Sequence, residues 1–322
     1  MGHSMKRKED VRFLHGKGHY IDDLKLPGML YMDIARSPYA YAKIINIDIS
    51  EAMKVPGVVA VVTGKDLEKY NLHWMPTLMS DTQMVLPTDK VMYQAQEVAA
   101  VIATSRYAAR DGREAVKVEY EVMKPLMDPY KAMDADAPLL RTDKPGKKDN
   151  HIWHWEAGDK TKTEKVFKEA EVVVKQDMYI PRIHVSSIET CGCVADYDKV
   201  NNHLTMYMTT QAPHAIRTVI ALVAGHVGLS EEKIRVVSPD IGGGFGGKVP
   251  VYPGYVIAIA VSFLTGKPVK WIEDRSENLQ ADSFARDYHI TAEMAGTRSG
   301  KILATRFKVL APRIHGCRSQ SL

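Results

Sequence analysis

The feature that most constrains this chain is a run of five glycines in six residues, at positions 242–247, interrupted only by Phe245. Glycine has no Cβ, so its backbone adopts positive φ angles and its N–H groups can approach a ligand closely. The run lies between a predicted strand and a predicted helix, where free N–H groups form a site for anions. The ring of Phe245 argues against a simple flexible linker, because it must be either buried or presented to something.

Two nucleotide-binding motifs match the loop in part. The P-loop pattern G-x-x-x-x-G-K-[ST] fits as far as Lys248, but Val249 lacks the hydroxyl that would bind Mg²⁺. The dinucleotide pattern G-x-G-x-x-G also fits, and Glu273 could then bind a ribose. However, residues 238–240 separate the strand from the glycines, whereas that pattern requires the turn directly at the strand's end. A third interpretation is a packed or mobile surface loop without a ligand.

The composition is that of an ordinary globular chain. The 322 residues include 43 Lys and Arg against 39 Asp and Glu, and a net charge of +4 is too small to indicate nucleic-acid binding. Three cysteines are too few for a secreted disulfide scaffold, which favours a reducing, cytoplasmic compartment. The longest nearly unbroken apolar run covers residues 255–264, well short of the roughly 20 residues that a bilayer requires.

The first part of the chain is predicted to form an α+β unit. Residues 58–63 and 97–104 are β-branched or apolar runs typical of strands, and 116–120 is a further strand. Ser105 is predicted to cap the helix before that last strand. Between about 128 and 150 the periodicity fails and Pro, Asp, Lys and Gly accumulate, which predicts an exposed linker.

A second unit is predicted from His151. Pro213 is expected to begin a helix, because the N–H that proline lacks would have no partner in the first turn. A helix is also predicted at 164–171, and another follows the glycine loop up to about residue 264. The predicted strands are 172–180, 193–197, 204–209, 234–237 and 269–272.

The loop sequence DIGGGFGGK, at residues 240–248, resembles the signature loop of the molybdenum hydroxylases, the family of xanthine oxidase and aldehyde oxidoreductase. Several N-terminal segments look like the family's hammerhead domain: 7–18, 20–23, 26–31, 36–40 and 56–58. Further segments are most similar to the family branch formed by the large subunits of aerobic carbon monoxide dehydrogenases: 75–78, 150–152, 188–195, 211–214 and 283–289.

This resemblance implies an α+β fold, with an N-terminal α/β hammerhead domain followed by a truncated α+β molybdopterin-binding domain. The implied divisions are a tail (1–11), the hammerhead domain (12–126), a linker (127–150), the first part of the cofactor-binding domain (151–311) and an aberrant tail (312–322).

The resemblance also implies a molybdenum ion held by molybdopterin cytosine dinucleotide. Gln211 matches the glutamine whose amide hydrogen-bonds an oxo ligand of the metal, although an ordinary contact at a helix N-terminus is the alternative. The residues that match the loop lying against the cofactor are Gly243, Gly244, Phe245, Gly246 and Gly247. No direct metal ligand and no catalytic residue is assigned to this chain.

The implied reaction is oxidation of CO with water to CO₂. Electrons would pass to a small [2Fe–2S] subunit and a medium FAD subunit, in a dimer of heterotrimers without an integral membrane segment. The expected location is cytoplasmic, peripheral to the inner face of the membrane. The alternatives are an aldehyde or N-heterocycle hydroxylase large subunit, or a non-catalytic fragment that binds partner subunits.

Family large subunits are more than twice as long as this chain. The base glutamate and the copper-carrying cysteine are expected only in the missing C-terminal part. After 306–311 the family's Asp-His-Gly pattern is replaced by a basic, polar tail, which favours a truncated or frameshifted chain, with a gene split into two chains as the alternative. Because half of the cofactor pocket and the base are missing, the chain is expected to be inactive alone.

The remaining candidate residues have ordinary structural explanations. Cys191 and Cys193 would point to opposite faces of a strand and lack a second cluster, so buried structural roles are expected. Lys248 could either help an anionic ligand or be a solvated loop end. Structural contacts are expected, in preference to a catalytic role, for His184, Glu189 and His214. Residues 153–155 are predicted to form a packed edge, and residues 231–232 to begin a short helix.

Overall fold

The computed structural model describes residues 2–77, 81–313 and 316–321, with side chains given up to residue 312. Leu78, His315 and Leu322, which belong to segments with predicted family resemblance or to the predicted tail, lie outside the described residues. The α-helices are α1 (Asp10–Leu14), α2 (Gly64–Glu68), α3 (Arg106–Ala115), α4 (Lys160–Glu169), α5 (Pro213–Ala224), α6 (Pro253–Thr265) and α7 (Arg275–Ala281).

The strands fall into four sheets. Up to residue 122 they are β1 (Leu30–Arg36), β2 (Ala42–Asp48), β3 (Val58–Thr63), β4 (Trp74–Pro76), β5 (Thr82–Met84), β6 (Lys90–Val91), β7 (Glu97–Ala103) and β8 (Lys117–Val122). The later strands are β9 (His151–Glu156), β10 (Val172–Ile180), β11 (Gly192–Asp198), β12 (His203–Met208), β13 (Ile234–Val237), β14 (Val269–Ile272), β15 (Tyr288–Gly296), β16 (Ile302–Arg313) and β17 (Gly316–Ser321).

Most predicted elements are present. Strands β3, β10, β13 and β14 begin and end at the predicted residues, and α5 begins at Pro213. The Ser105 hydroxyl accepts the Ala108 N–H at 3.2 Å, so the predicted cap of α3 is confirmed. Helix α4 begins four residues earlier than predicted, because the Asp159 carboxylate caps it by accepting the Lys162 N–H.

The chain divides into two compact units that are discontinuous in sequence. Unit 1 comprises residues 1–122 and 185–283, and unit 2 comprises 123–184 and 284–322. Unit 1 contains a seven-stranded sheet of order β13-β12-β11-β14-β1-β7-β3, in which β1 pairs in parallel with β14 and antiparallel with β7. Strands from both sides of the predicted linker therefore share one sheet, and the boundaries at 126 and 150 stay a prediction.

The centre of this sheet is apolar on both faces. All seven residues of β7 are buried, as the run EVAAVIA requires of a strand covered on both sides. Helix α6 is buried along residues 253–262 and packs on Trp271 of β14, whose ring leaves room only for a glycine at position 254. A three-stranded sheet, β6-β2-β8, and a two-stranded sheet, β4-β5, complete the strands of unit 1.

A buried ionic cluster lies where β1, β7 and α7 meet. The Arg36 guanidinium donates to Glu97 at 2.9 Å and to Glu277 at 2.9 Å, and its Nη2 lies 3.6 Å from Glu273. Burial, and then the neighbouring Asp282 carboxylate, raise the pKa of Glu273 to about 9. The single positive charge of Arg36 cannot balance all of these buried carboxylates, so Glu273, with its raised pKa, is protonated near neutral pH.

Cys191 and Cys193 are buried in unit 1, as expected. The Cys191 thiol donates to Asp282 at 3.4 Å, and burial raises the pKa values of both thiols. Cys191, Glu273 and Asp282 offer three possible ligand atoms within 4.8 Å of one another. Asn278 already donates to both carboxylates.

Unit 2 is built on a five-stranded sheet of order β10-β15-β16-β17-β9. Arg306 of β16 donates to Glu293 of β15 and to Glu164 of α4, both at 2.7 Å, and lies over the Phe167 ring. Trp153 and Trp155 stack on each other on the edge strand β9, each more than one-third exposed. The backbone of the tail forms β17, which pairs antiparallel with β16. Strand pairing uses main-chain N–H and C=O groups, so it does not require an apolar sequence pattern.

The segment predicted as an exposed linker is irregular, but part of it is buried. The Asn150 side chain donates to the carbonyls of Ala132 and Pro138 and accepts the Leu140 N–H, and Asn150 itself is almost fully buried. The predicted exposed linker is therefore not exposed throughout, because one amide side chain can satisfy several backbone groups of an irregular segment. In the described part of the chain, no helix is long and apolar enough to cross a membrane.

The packing of α6 gives a direct test. A Cβ at Gly254 would lie 2.6 Å from the Trp271 ring, so Gly254→Ala is expected to destabilise the protein by about 1–3 kcal/mol in urea unfolding. Gly225→Ala is the control, because that glycine is helical in φ and ψ and has open space around it. Equal stability of the two variants would contradict this account of the α6 packing.

The ionic cluster predicts how stability changes with pH. The pKa of Glu273 is about 9 in the folded state and near 4.5 when unfolded, so the folded state binds more protons between these values. Its stabilising contribution is complete below about pH 4.5 and is lost as the pH rises through about 9. We expect the urea midpoint to fall as the pH rises from near neutral through the folded-state pKa, and Glu273→Gln to flatten this slope. Parallel slopes would exclude the assignment, and Glu121→Gln, which changes an exposed carboxylate, is the control.

Candidate functional site

The glycine loop follows β13 and precedes α6, and its first anchor is Asp240. Arg12 donates to both carboxylate oxygens of Asp240, and the His19 N–H donates to Oδ2 at 2.8 Å. These donors lower the pKa of Asp240 to about 2, with Arg12 contributing most. The N-terminal segment therefore fixes the approach to the loop.

A second anchor is Glu189. Its Oε2 accepts the Gly242 N–H at 2.8 Å and the Lys248 ammonium at 2.9 Å, and its own N–H donates to the Gly242 carbonyl at 3.1 Å. A Cβ at Gly242 would lie 2.4 Å from the Cβ of Glu189, so only glycine permits this approach. The first and last residues of the segment 242–248 are thus held by one carboxylate.

The side chain of Gln211 lies against the loop with a defined orientation. Its Oε1 accepts the N–H groups of Gly246 at 2.9 Å and Lys248 at 3.3 Å. Because backbone N–H groups only donate, these bonds assign the oxygen to the loop side and leave the Nε2 donor free to face elsewhere. Within the described residues, Nε2 has no hydrogen-bond acceptor.

The loop glycines meet distinct requirements. A Cβ at Gly244 would lie 2.4 Å from Cδ of Gln211, so this position needs close backbone approach. Gly243 and Gly246 have φ of +96° and +91°, which glycine adopts without strain. Phe245 also has a positive φ, +51°. The residue is 71% exposed, so its ring faces solvent and is not buried.

Three consecutive N–H groups of the loop can still bind an acceptor. Across the ranges that the structure describes, the amides of residues 243–245 have no hydrogen-bond acceptor, whereas those of 242, 246, 247 and 248 are used within the loop or by its anchors. Successive free amides in a turn containing a left-handed residue attract anionic groups. The loop can therefore offer backbone donors and one side-chain amide to an anionic, oxygen-rich ligand.

The other predicted site residues lie in four different environments. Lys248 is only 2% exposed and paired with Glu189, so the interpretation as a solvated loop end was wrong and its charge is already neutralised. Glu273 is buried beside Arg36 and does not present its carboxylate to a ribose. His214 is exposed on the first turn of α5, and His184 packs against Phe284 in unit 2.

Sequence reasoning expected Glu189 to be a contact residue, which the structure confirms, but it did not identify the partners of Glu189 or the pairing of Arg12 with Asp240. Glu189 stands 53 positions before Gly242, and Arg12 stands 228 positions before Asp240, so no local pattern joins them. Glu189 lies in the mixed segment VSSIETC before β11, and that local sequence does not specify a partner for it.

The chain matches two family models. Residues 143–316 match the molybdopterin cofactor-binding domain, and residues 15–124 match the a/b hammerhead domain of aldehyde oxidase and xanthine dehydrogenase. These matches confirm the α+β fold and the family expected from the loop sequence.

Relatives and a solved structure agree with the family models. The chain is 52% identical, over 94% of its length, to the carbon monoxide dehydrogenase large chain of Hydrogenophaga pseudoflava, and spans 39% of that relative. It is 35% identical to the nicotine 6-hydroxylase large subunit of Paenarthrobacter nicotinovorans, over 96% of this chain and 38% of that protein.

The structure is similar to a crystal structure of Cu,Mo-CO dehydrogenase, with a TM-score of 0.91 and 54% identity, covering 97% of this chain and 40% of that one. The residue range of the cofactor-binding family model, 143–316, includes Gln211 and the glycine loop. The chain belongs to the molybdopterin cofactor-binding domain family, with the hammerhead domain of aldehyde oxidases and xanthine dehydrogenases preceding it.

Proposed function

We propose that this chain is the N-terminal, cofactor-holding portion of the large subunit of an aerobic carbon monoxide dehydrogenase. The observation that carries the proposal is its 52–54% identity to such proteins across nearly its whole length. The hydroxylase relative matches the same stretch at only 35%. The reaction would be oxidation of CO with water to CO₂, two electrons and two protons.

The residues present fit an anionic, oxygen-rich cofactor, and we infer that this cofactor is molybdenum held by molybdopterin cytosine dinucleotide. An anionic cofactor with oxo and phosphate oxygens needs donors, and the loop offers the amides of 243–245 together with Nε2 of Gln211. A side chain at position 244 would overlap Gln211, so this position carries none, and the backbone of Gly244 can approach a ligand closely. The exposed Phe245 ring offers an apolar surface beside these donors.

When bound, the cofactor would supply oxygen transfer and accept the electron pair. The chain's own residues would position it. Gln211 would donate through Nε2 to an oxygen ligand, held in place by the two N–H groups on its Oε1. The loop amides would neutralise negative charge without a mobile side chain, so little reorganisation would accompany the reaction.

The assembly around the chain is part of the same proposal. A small [2Fe–2S] subunit and a medium FAD subunit would carry the electrons away, within a dimer of heterotrimers in the cytoplasm. The base glutamate and a copper-bearing cysteine would come from outside these 322 residues, and no described residue of this chain is assigned either role.

The experiment is isolation of the assembly that contains this chain, followed by determination of its molybdenum and cytidine nucleotide. CO, aldehydes and N-heterocycles would then be compared as electron donors to a dye. Turnover of CO with one molybdenum and one cytidine nucleotide per chain is the expected result. Turnover of an N-heterocycle but not CO would favour the hydroxylase alternative, for which the 35% identity to nicotine 6-hydroxylase speaks. Absence of both cofactor parts would overturn the proposal.

Replacement of the Gln211 amide tests its donor role. Gln211→Glu keeps an oxygen for the two loop N–H groups but puts an acceptor in place of Nε2. We expect kcat to fall roughly a hundredfold, because a donor to a charged group is lost. Gln280→Glu, which makes the same change at an exposed helix position, should leave kcat unchanged. Unchanged kcat in a Gln211→Glu assembly with full molybdenum content would contradict the role.

Replacement of Gly244 tests the close approach. In Gly244→Ala the new methyl would overlap Cδ of Gln211, so either the loop or the amide must move. We expect molybdenum content to drop about tenfold, in line with the effect of losing a group that orients a ligand. Gly225→Ala has open space and should retain the metal. Equal metal content in the two variants would show that this approach is unimportant for binding.

A further inference from the structure

We propose that Glu189 and Lys248 form a positioning pair that sets the orientation of the Gln211 amide. The inference rests on the proposed function, since it concerns how the same site presents its donor. It assigns neither residue to contact with substrate or cofactor. Both act through the loop backbone.

The pair and the amide are linked by short, directional contacts. The Glu189 carboxylate holds Gly242 and the Lys248 ammonium through one oxygen, Oε2. The backbone of Lys248 then holds Gln211 from both sides, because its N–H donates to Oε1 and its carbonyl accepts the Gln211 N–H at 3.1 Å. A displacement of Lys248 therefore moves both the main chain and the side-chain oxygen of Gln211.

The Glu189–Lys248 pair is largely buried, so each charge depends on its partner. Lys248 is 2% exposed and the Glu189 side chain 18%, so water screens the two charges only weakly. The second carboxylate oxygen, Oε1, is buried and has no hydrogen-bond partner in the described part of the chain. Because Oε2 alone receives both donors, removal of either partner leaves a buried charge and frees one end of the loop.

The loop has few other means of keeping its shape. Five of its six residues from 242 to 247 have no side chain, and the exposed Phe245 ring does not pack into unit 1. Tyr252 does hold the Gly247 carbonyl at 2.6 Å, but that bond leaves the amides of 243–245 unrestrained. The charge pair is therefore the contact that joins the start of the loop to its end.

The experiment compares Glu189→Gln and Lys248→Met in the cofactor-loaded assembly. Lys270→Met is the matched control, because Lys270 is also a buried lysine of unit 1, 3% exposed and bonded to the Asp22 carbonyl, but it lies on β14 away from the loop contacts. Three readouts are used: amide hydrogen exchange, the electron paramagnetic resonance spectrum of Mo(V), and kcat separated from KM.

We expect the hydrogen-bonded amides of Gly242, Gly246, Gly247 and Lys248 to exchange about tenfold faster in both pair variants, while those of β7 keep their protection. The Mo(V) spectrum should change, and kcat should fall about ten- to a hundredfold with KM within about twofold. Lys270→Met should show none of these local effects. An unchanged spectrum and kcat would overturn the inference, and so would a uniform loss of protection, because a merely structural pair would weaken the whole unit.

A further variant removes no charge. Gly242→Ala places a methyl 2.4 Å from Cβ of Glu189 and displaces the carboxylate, so the same local exchange and spectral change are expected if the pair variants do not fold. A wild-type spectrum in this variant would also overturn the inference. Failure of the proposed function can be told apart from failure of this inference. If the proposed function is wrong, the wild-type protein lacks molybdenum. If only this inference is wrong, wild type and variants contain equal amounts of molybdenum and have the same Mo(V) spectrum and kcat.

Discussion

A loop almost without side chains cannot hold its own shape, so the polar groups that fix the glycine segment come from elsewhere in the chain. Glu189 secures its two ends, Asp240 ties its approach to the N-terminal segment, and Gln211 receives its last amides. Each anchor is a charged or amide group bonded to backbone, the type of contact that fixes direction as well as distance. The shape of the site thus depends on contacts across large sequence separations, and the glycines only make that shape sterically possible.

The sheet beneath the loop explains why these anchors can meet. Pairing of β1 with β14 joins the early strands to β11 and β12, and the end of β12 leads through Thr209 to Gln211. The apolar faces of β7 and α6 fill the interior on either side of that junction. A strongly polar part of this interior is the Arg36 cluster, where a single guanidinium bonds groups from β7 and α7. Removing the guanidinium alone would leave buried carboxylates without a counter-charge, so the cluster holds its elements in one arrangement.

How far the sequence predicts this structure depends on whether the signal is local. Strand limits such as those of β13 and the helix start at Pro213 follow from apolar runs and turn residues, which act within a few positions. The motif DIGGGFGGK was sufficient to locate the loop and suggest its family. Burial of Asn150 in a polar segment, and of Lys248 beside Glu189, could not be predicted, because both depend on partners that tertiary packing brings near. The same holds for the sharing of one sheet by β1 and β14, since periodicity identifies strands but not their neighbours.

The position of β1 between β7 and β14 has a consequence for biosynthesis. Lys270 and Asp22, which bond beside this junction, are 248 positions apart in sequence. Strand β1 therefore emerges from the ribosome long before its second neighbour, β14, exists, and long-range pairing of this kind is slow to form. During that interval one edge of β1 presents unpaired N–H and C=O groups, which are a template for pairing with other chains. The nascent chain should therefore need shielding along Leu30–Arg36 until Val269–Ile272 has been made.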